Sequence, residues 1–138
     1  MTTAPVPEDF AVFSYDKLRY GDTDRQGHVN NAVFTTFLET GRVEILIDER
    51  RGLMPSGAEF VIARLALDYR AEILWPGTVC IGSRVALIGR SSVTIEQAIF
   101  QDGRCCAFGE SVVVQIDQLS RKSRPWSEDQ IKALEALQ

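Results

Sequence analysis

Apolar positions recur along this chain with two different periods, and the change between them divides it into elements. From position 33 onward the spacing is helical: Phe34, Phe37, Leu38, Gly41 and Ile45 fall three and four apart, and Val33, Leu46 and Ile47 widen the stripe. The pattern predicts a helix beginning at Ala32, running to Arg51 and stopped by Gly52, more buried than an ordinary surface helix. Gly41 costs up to about 1 kcal/mol against alanine in a helix interior, so its expected use is to let the helix lie close on a sheet.

On both sides of this helix the period is two. Phe13 to Tyr20 predicts a strand packed through Phe13, Tyr15 and Leu18. Phe60 to Leu74 reads as one long strand with room for a bulge, turned by Pro76-Gly77. Thr78 to Ile88 is the next strand, Gly89-Arg90-Ser91 a turn, and Ser92 to Gln101 a third strand with Val93, Ile95, Gln97 and Ile99 on one face. Asp102-Gly103 signals a hairpin. Cys105 to Ile116 then returns with Cys106, Phe108, Val112, Val114 and Ile116 on one face, interrupted by Glu110. The pattern predicts an α+β chain in which four long antiparallel strands form a meander after one buried helix. Ser127-Glu128-Asp129-Gln130 fits a capping box, and Ile131, Leu134 and Leu137 give the tail helix a narrow apolar stripe suited to a lid or edge cover. The Pro-rich start, residues 1–9, is expected to fray.

Composition narrows the classes. With 138 residues, 45% of them hydrophobic, the chain suits one core and a single domain spanning 1–138. A net charge of −4 argues against general nucleic-acid binding, which needs a basic surplus. No apolar run approaches the roughly 20 residues of a membrane span, and the start lacks the layout of a signal peptide, so a cytoplasmic protein with no membrane partner is expected. Cys80, Cys105 and Cys106 are odd in number and lack C-x-x-C spacing, reading as buried thiols in a reducing compartment. One histidine and no cysteine pair at ligand spacing predict no metal site.

The chemistry crowds into Tyr20-Gly21-Asp22-Thr23-Asp24-Arg25-Gln26-Gly27-His28-Val29-Asn30-Asn31, between the first strand and the helix. A helix N-terminus carries N–H groups without internal partners and a partial positive charge. With Asn30 as N-cap, the N–H of Asn31 stays free to meet a ligand. A carboxylate at Asp24 beside that donor is the pairing that attack on an activated carbonyl requires, since one group adds or activates water and the other holds the oxyanion. The alternative for Asp24 is an aspartate whose oxygen accepts neighbouring N–H groups to stabilise the turn. Asp22 reads as structural. His28, the sole histidine, is either a backbone-bonding loop residue or a further catalytic candidate.

The run from Leu18 to Asn31 with its D-x-D-x-x-G-H-V-N-N, then Phe34, Glu39 and Arg42 in the helix and the Tyr69 to Gly77 segment, resembles the hotdog-fold thioesterases of the 4-hydroxybenzoyl-CoA thioesterase type. That resemblance implies a hotdog fold, a long antiparallel sheet wrapped around a central helix, and hydrolysis of acyl-CoA thioesters with no cofactor or metal. It implies Asp24 as the catalytic carboxylate and the Asn31 backbone N–H as the oxyanion donor. It also implies a homodimer, or a homotetramer built as a dimer of dimers, with sites shared across the subunit interface. Gly27 and the turn Arg90, Ser91 and Ser92 become substrate-binding candidates, the turn toward the CoA phosphates; the basic run Arg121-Lys122-Ser123-Arg124 is a further phosphate candidate.

Two further resemblances bear on the site. Asp24, Gln26 and His28 match the spacing of the Asp-x-Asn-x-His pattern of plant acyl-ACP thioesterases, with Gln26 in place of the asparagine. Glu39 stands where a second hotdog branch keeps its carboxylate, which makes it the rival to Asp24, although no His-Gly-Gly precedes this helix; the bland role for Glu39 is an i,i+3 ion pair with Arg42. The functional alternatives are an acyl-ACP thioesterase and a non-catalytic acyl-CoA-binding hotdog module. A dehydratase would need a His-rich motif that the helix lacks.

Overall fold

A computed structural model of the protein describes residues 3–138, so Met1 and Thr2 of the expected frayed start lie outside the described residues. The elements in chain order are β1 (Val12–Lys17), α1 (Asn31–Leu46), β2 (Ala58–Tyr69), β3 (Thr78–Ile88), β4 (Ser92–Gln101), β5 (Arg104–Asp117) and α2 (Glu128–Glu135). All five strands join one antiparallel sheet in the order β1-β3-β4-β5-β2.

Helix α1 lies across β1, β3 and β4. Phe34, Phe37, Leu38, Gly41, Ile45 and Leu46 face the sheet and are buried, as the spacing predicts. Gly41 marks the closest approach: a Cβ there would meet Ile81 Cγ2 at 2.9 Å and Gln97 Nε2 at 2.7 Å. The Gln97 amide is not free to yield, because it donates to the Leu38 carbonyl and to Ser83 Oγ, both at 3.0 Å.

The helix is shorter than its periodicity suggests. It ends at Leu46, and the Asp48 side chain then accepts from Arg50 N at 3.0 Å to cap a separate 3₁₀ turn, Glu49–Arg51, closed by Gly52 at φ 67°. An aspartate that bonds local backbone offers the chain an alternative to continuing the helix. The same Arg50 contacts, side chain first, hold the Asp48 carboxyl below the usual carboxylate range.

The expected meander holds only for β3-β4-β5. Strand β2 pairs with β5, with a register shift between Ile62 and Arg64, and so occupies the far edge of the sheet. The chain must therefore cross from one edge region to the other between Tyr69 and Thr78, and Pro76-Gly77 belongs to this crossover rather than to a hairpin. For this reason β2 stops at Tyr69, short of the predicted Leu74: the next residues leave the ladder, and Ile73 turns into the core.

Strand β5 divides the residues expected to share one face: Cys106 and Ile116 are buried, whereas Phe108, Val112 and Val114 are not. Ala107, Gly109, Ser111, Val113 and Gln115 are buried, whereas Phe108, Glu110, Val112 and Val114 lie half-buried on the outer face. Between Ala107 and Val113 it is mostly the smaller residues that turn inward. The N-terminal segment also departs from expectation. Pro7–Asp9 forms a 3₁₀ turn, and Phe10 is buried edge-to-face on Phe100, 6.0 Å between ring centroids, with no room for a side chain on Gly82 beneath it.

Two core clusters divide the length of α1. Phe34, Phe37 and Leu38 pack with Leu18, Val29, Ile73, Val79, Ile81 and Ile99 near its start. Ile45 and Leu46 pack with Val85, Val93, Ile95, Trp126 and Leu134 near its end. Helix α2, capped by Ser127 with the predicted box to Gln130, supplies Leu134 to the second cluster, and Leu137 just beyond its end joins it. The Leu137 carbonyl accepts Val85 N at 2.8 Å, so the tail covers the part of the β3 edge that β1, paired only as far as Ser83, leaves open. Among the described residues, no helix is long and apolar enough to cross a membrane.

Candidate active site

The segment from Tyr20 to Asn31 is built as a tight loop laid against the β2–β3 crossover. Thr23 bridges Val29, His28 bridges Leu74, and Val29 N donates to Ile73 O at 2.8 Å. Beyond β2, Arg70 N and Ala71 N still donate to Cys106 O of β5, at 2.8 and 3.0 Å, and it is Ile73 and Leu74 whose backbone serves the loop. Gly27 supplies the left-handed turn at φ 81°, and Asp24 N donates to His28 O at 2.8 Å across it.

The two aspartates separate by environment. Asp22 is buried, takes Arg19 N and Arg19 Nη2 at 3.0 Å each, and receives Asn30 N on its carbonyl at 2.8 Å. It holds the loop, as expected. Asp24 is half-buried and its Oδ1 accepts Gln26 N at 2.8 Å and His28 N at 3.2 Å. Its Oδ2 has no partner among the described residues. The turn-stabilising role and an available carboxylate oxygen thus coexist in one side chain.

Asn30 caps α1 through Oδ1, which accepts Ala32 N at 3.0 Å. The N–H of Asn31 finds no acceptor among the described residues, as the capping argument predicts. Tyr69 Oη donates to the Asn31 carbonyl at 2.9 Å and its ring stands edge-to-face on Phe34 at 5.0 Å, so the end of β2 clamps the first turn of the helix.

Asp24, Gln26, His28, Val29, Asn31, Phe34, Tyr69, Ala71 and Glu72 line a cavity of about 240 Å³. It brings together a carboxylate with one uncommitted oxygen, a helix N-terminus with one uncommitted donor, and the chain's only imidazole. His28 Nε2 lies 2.9 Å from Glu72 Oε2. Glu72 was missed by sequence reasoning: the sole signal is a carboxylate interrupting the apolar run Ala71-Glu72-Ile73-Leu74, which periodicity assigned to a strand.

Other sequence candidates lie elsewhere. Glu39 is exposed, more than two helical turns along α1, and lines a separate groove with Arg42, Val43, Ile47, Ile62 and their neighbours. The expected ion pair is not formed: Arg42 is buried and donates to Gln97 Oε1 at 3.3 Å. Burial lowers the Arg42 guanidinium's affinity for its proton, and the Glu39 charge partly restores it.

Arg90, Ser91 and Ser92 form the β3–β4 turn at the opposite end of the sheet. Tyr69 faces Ala107 and Ala107 faces Ile99, so seven residues of β4, roughly 23 Å, separate the cavity from Ser92 along the strand. Within one protomer they do not reach Asp24. In the basic run, Arg121 pairs with Glu59 and Arg124 donates to Ser56 O at 3.2 Å. Among the described residues, no three His, Cys, Asp or Glu side chains cluster as a metal site.

The profile of the thioesterase-like superfamily matches residues 18–134. The fold superposes on the PA5185 protein of Pseudomonas aeruginosa with a TM-score of 0.89 and 33% identity, covering 99% of this chain and 97% of that one. It also superposes on a thioesterase of Thermus thermophilus, crystallised with coenzyme A and zinc, with a TM-score of 0.79 and 30% identity, covering 94% and 95% of the two chains. By sequence the chain is 26% identical over 128 residues to the uncharacterised protein YsmA of Bacillus subtilis, 91% of this chain and 86% of that one.

Proposed function

Because the chain belongs to the thioesterase-like superfamily and has its hotdog fold, we propose that it hydrolyses acyl-CoA thioesters, releasing a carboxylic acid and CoA. The observation that carries the reading is the meeting, in one cavity, of the uncommitted Asp24 Oδ2 and the uncommitted Asn31 N–H. In this mechanism Asp24 attacks the thioester carbon or takes a proton from water, and the Asn31 N–H receives the oxyanion as the carbonyl becomes tetrahedral. A thioester suits so spare a site because its carbonyl is activated and a thiolate leaves readily. CoA as the carrier draws support from the related thioesterase that binds it.

The working unit in this proposal is a homodimer or a dimer of dimers. Strand β2 is an unpaired edge of 12 residues, and Val43, Ile47, Met54, Ile62 and Leu65 are exposed along α1, β2 and the segment between them. A second copy would cover them, and it would be the copy whose Arg90, Ser91 and Ser92 approach the CoA phosphates, since a protomer's own turn lies too far away.

The test is release of free thiol from a panel of acyl-CoA and acyl-carrier-protein thioesters. Turnover of CoA esters, lost in Asp24→Asn, supports the assignment. Faster turnover of carrier-protein esters moves the substrate to the acyl-ACP class, and saturable binding without hydrolysis makes the protein an acyl-CoA-binding module.

A further inference from the structure

The crossover from β2 to β3 carries the loop of the candidate site on one side, and on the other it is gripped by a side chain from the sheet. Gln101, the last residue of β4, is buried, and its amide bonds one crossover residue twice: Oε1 accepts Leu74 N at 3.0 Å and Nε2 donates to Leu74 O at 2.7 Å. We propose that Gln101 is a positioning residue for the hydrolysis, holding the crossover where it sets Asp24 against the Asn31 N–H. The inference rests on the function proposed above, with Asp24 as the reacting carboxylate, and adds a residue that does not itself line the cavity.

A primary amide offers donors and an acceptor much as a peptide group does, so Gln101 does for Leu74 what a neighbouring strand would do. Leu74 lies between two structures. It bridges His28 of the loop as an isolated antiparallel pair, beside the bond from Val29 N to Ile73 O at 2.8 Å, while its own N–H and C=O are both taken by Gln101. Earlier in the crossover, Arg70 N and Ala71 N reach Cys106 O of β5, and the Glu72 carbonyl accepts Nη2 of the exposed Arg104 at 2.9 Å. At Leu74 no strand is left to continue that pairing, because β4 ends at Gln101 and the chain turns through Asp102-Gly103. The amide therefore holds the crossover at the residue that faces the loop.

The grip passes on to Asp24 through backbone groups. His28, opposite Leu74, donates its N–H to Asp24 Oδ1 at 3.2 Å and accepts Asp24 N on its carbonyl at 2.8 Å. Asn31 is placed by another route, since it opens α1 and that helix is packed through Phe34 and Phe37. The separation of carboxylate and oxyanion donor depends on both routes, and Gln101 anchors the first. Without the amide, the Leu74 N–H and C=O lose their partners, and the crossover is free to shift with the loop upon it. A displacement of about 1 Å between reacting groups is enough to cost on the order of 100-fold in rate.

Gln130, at the other end of α1, supplies a matched control. It too is buried, and its amide ties separate segments, with Nε2 donating to Leu53 O at 2.9 Å and to Gln115 Oε1 at 2.6 Å. The experiment compares wild type, Gln101→Ala, Gln101→Met and Gln130→Ala; the methionine fills the space of the glutamine and removes both hydrogen bonds. It reads the urea midpoint, then kcat and KM for butanoyl-CoA, decanoyl-CoA and benzoyl-CoA at a temperature where each variant is folded. It also reads the ¹H–¹⁵N signals of the Gln26 and His28 amides, which bond Asp24 Oδ1. All three variants should show a lowered midpoint. Both Gln101 variants should lose about 10- to 100-fold in kcat with KM within about three-fold of wild type, and their Gln26 and His28 signals should move. Gln130→Ala should keep those signals in place and its kcat within about two-fold. Wild-type kcat in Gln101→Met, unmoved Gln26 and His28 signals in it, or an equal loss of kcat in Gln130→Ala, with a wild type that hydrolyses thioesters, overturns this inference alone. A wild type that hydrolyses none of the three overturns the proposed function and this positioning role with it.

Discussion

The two ends of α1 sit on the same sheet and yet are finished in opposite ways. At its C-terminal end, Ile45 and Leu46 are enclosed by Trp126, Leu134 and Leu53, and the polar groups around them are paired. Gln130 Nε2 donates to Leu53 O at 2.9 Å and to Gln115 Oε1 at 2.6 Å, and Trp126 Nε1 donates to Ser92 O at 3.0 Å. Arg51 Nε and Ser111 Oγ, the latter on the residue paired with Ile95, are the buried exceptions. At its N-terminal end polar groups are left over: Asp24 Oδ2, the Asn31 N–H and His28 Nδ1 have no partner among the described residues, and all three residues line an open cavity. On the proposed function, uncommitted polar groups on a well-packed frame distinguish the end assigned the chemistry from the end that holds the fold.

The sharpest way to break that contrast is Asp24→Asn. The amide Oδ1 can still accept from Gln26 N and His28 N, so the loop and the fold should survive, confirmed by circular dichroism. The charge at Oδ2 is lost, and kcat should drop by roughly two to four orders of magnitude. Glu39→Gln, made beside it on one substrate, should cost no more than a few-fold. If Glu39→Gln is the inactive variant and Asp24→Asn is not, the catalytic carboxylate lies on the helix rather than in the loop.

At the other end, Leu134→Ala removes a fully buried side chain from the second core cluster. It should lower unfolding free energy by about 2–5 kcal/mol in urea titration. At temperatures where the variant stays folded, kcat should be within a factor of about two of wild type. A large fall in kcat for the folded variant would mean that the two ends are coupled.

How much of this contrast was legible beforehand depends on whether the relevant physics is local. The bounds of β3 and β4, the Asn30 cap, the Ser127 box and the close approach at Gly41 follow from short-range rules of period, capping and side-chain volume, and each is present as expected. The partner of β2 does not follow from such rules, because alternation says which residues share a face and nothing about which neighbouring strand they meet. The face expected to be shared by Cys106, Phe108, Val112, Val114 and Ile116 is divided, with Phe108, Val112 and Val114 less buried than Cys106 and Ile116, because both faces of this sheet carry apolar groups and β5 turns small residues inward. In the candidate site, Asp24 and Asn31 could be singled out because they lie in one contiguous loop. Glu72 comes from the crossover, and its contact with His28 exists only because that crossover leaves the sheet to pair with the loop.

A smaller effect separates holding the helix from using it. Asn30→Ala removes the acceptor for Ala32 N while leaving the Asn31 N–H in place. The loss should be about 1 kcal/mol of stability, read from the urea midpoint, with kcat changed only a few-fold. A loss of kcat rivalling that of Asp24→Asn would mean that the cap belongs to the reacting groups.

The smallest expected effect concerns Arg90, at the far end of the sheet from the cavity. The side chain is exposed, and its backbone carbonyl accepts Trp126 N at 3.0 Å, a contact that substitution of the side chain leaves intact. Stability should therefore be unchanged in Arg90→Ala. If another copy brings this turn to the CoA phosphates, the lost contact is one made equally before and during reaction, so KM for acyl-CoA should rise several-fold with kcat nearly constant. The same variant assayed on a short thioester lacking the nucleotide, such as an acyl-pantetheine, should behave as wild type, because no phosphate is left to contact. An unchanged KM for acyl-CoA would remove Arg90 from the site, and solution scattering of a fully active monomer would remove the route by which it could get there.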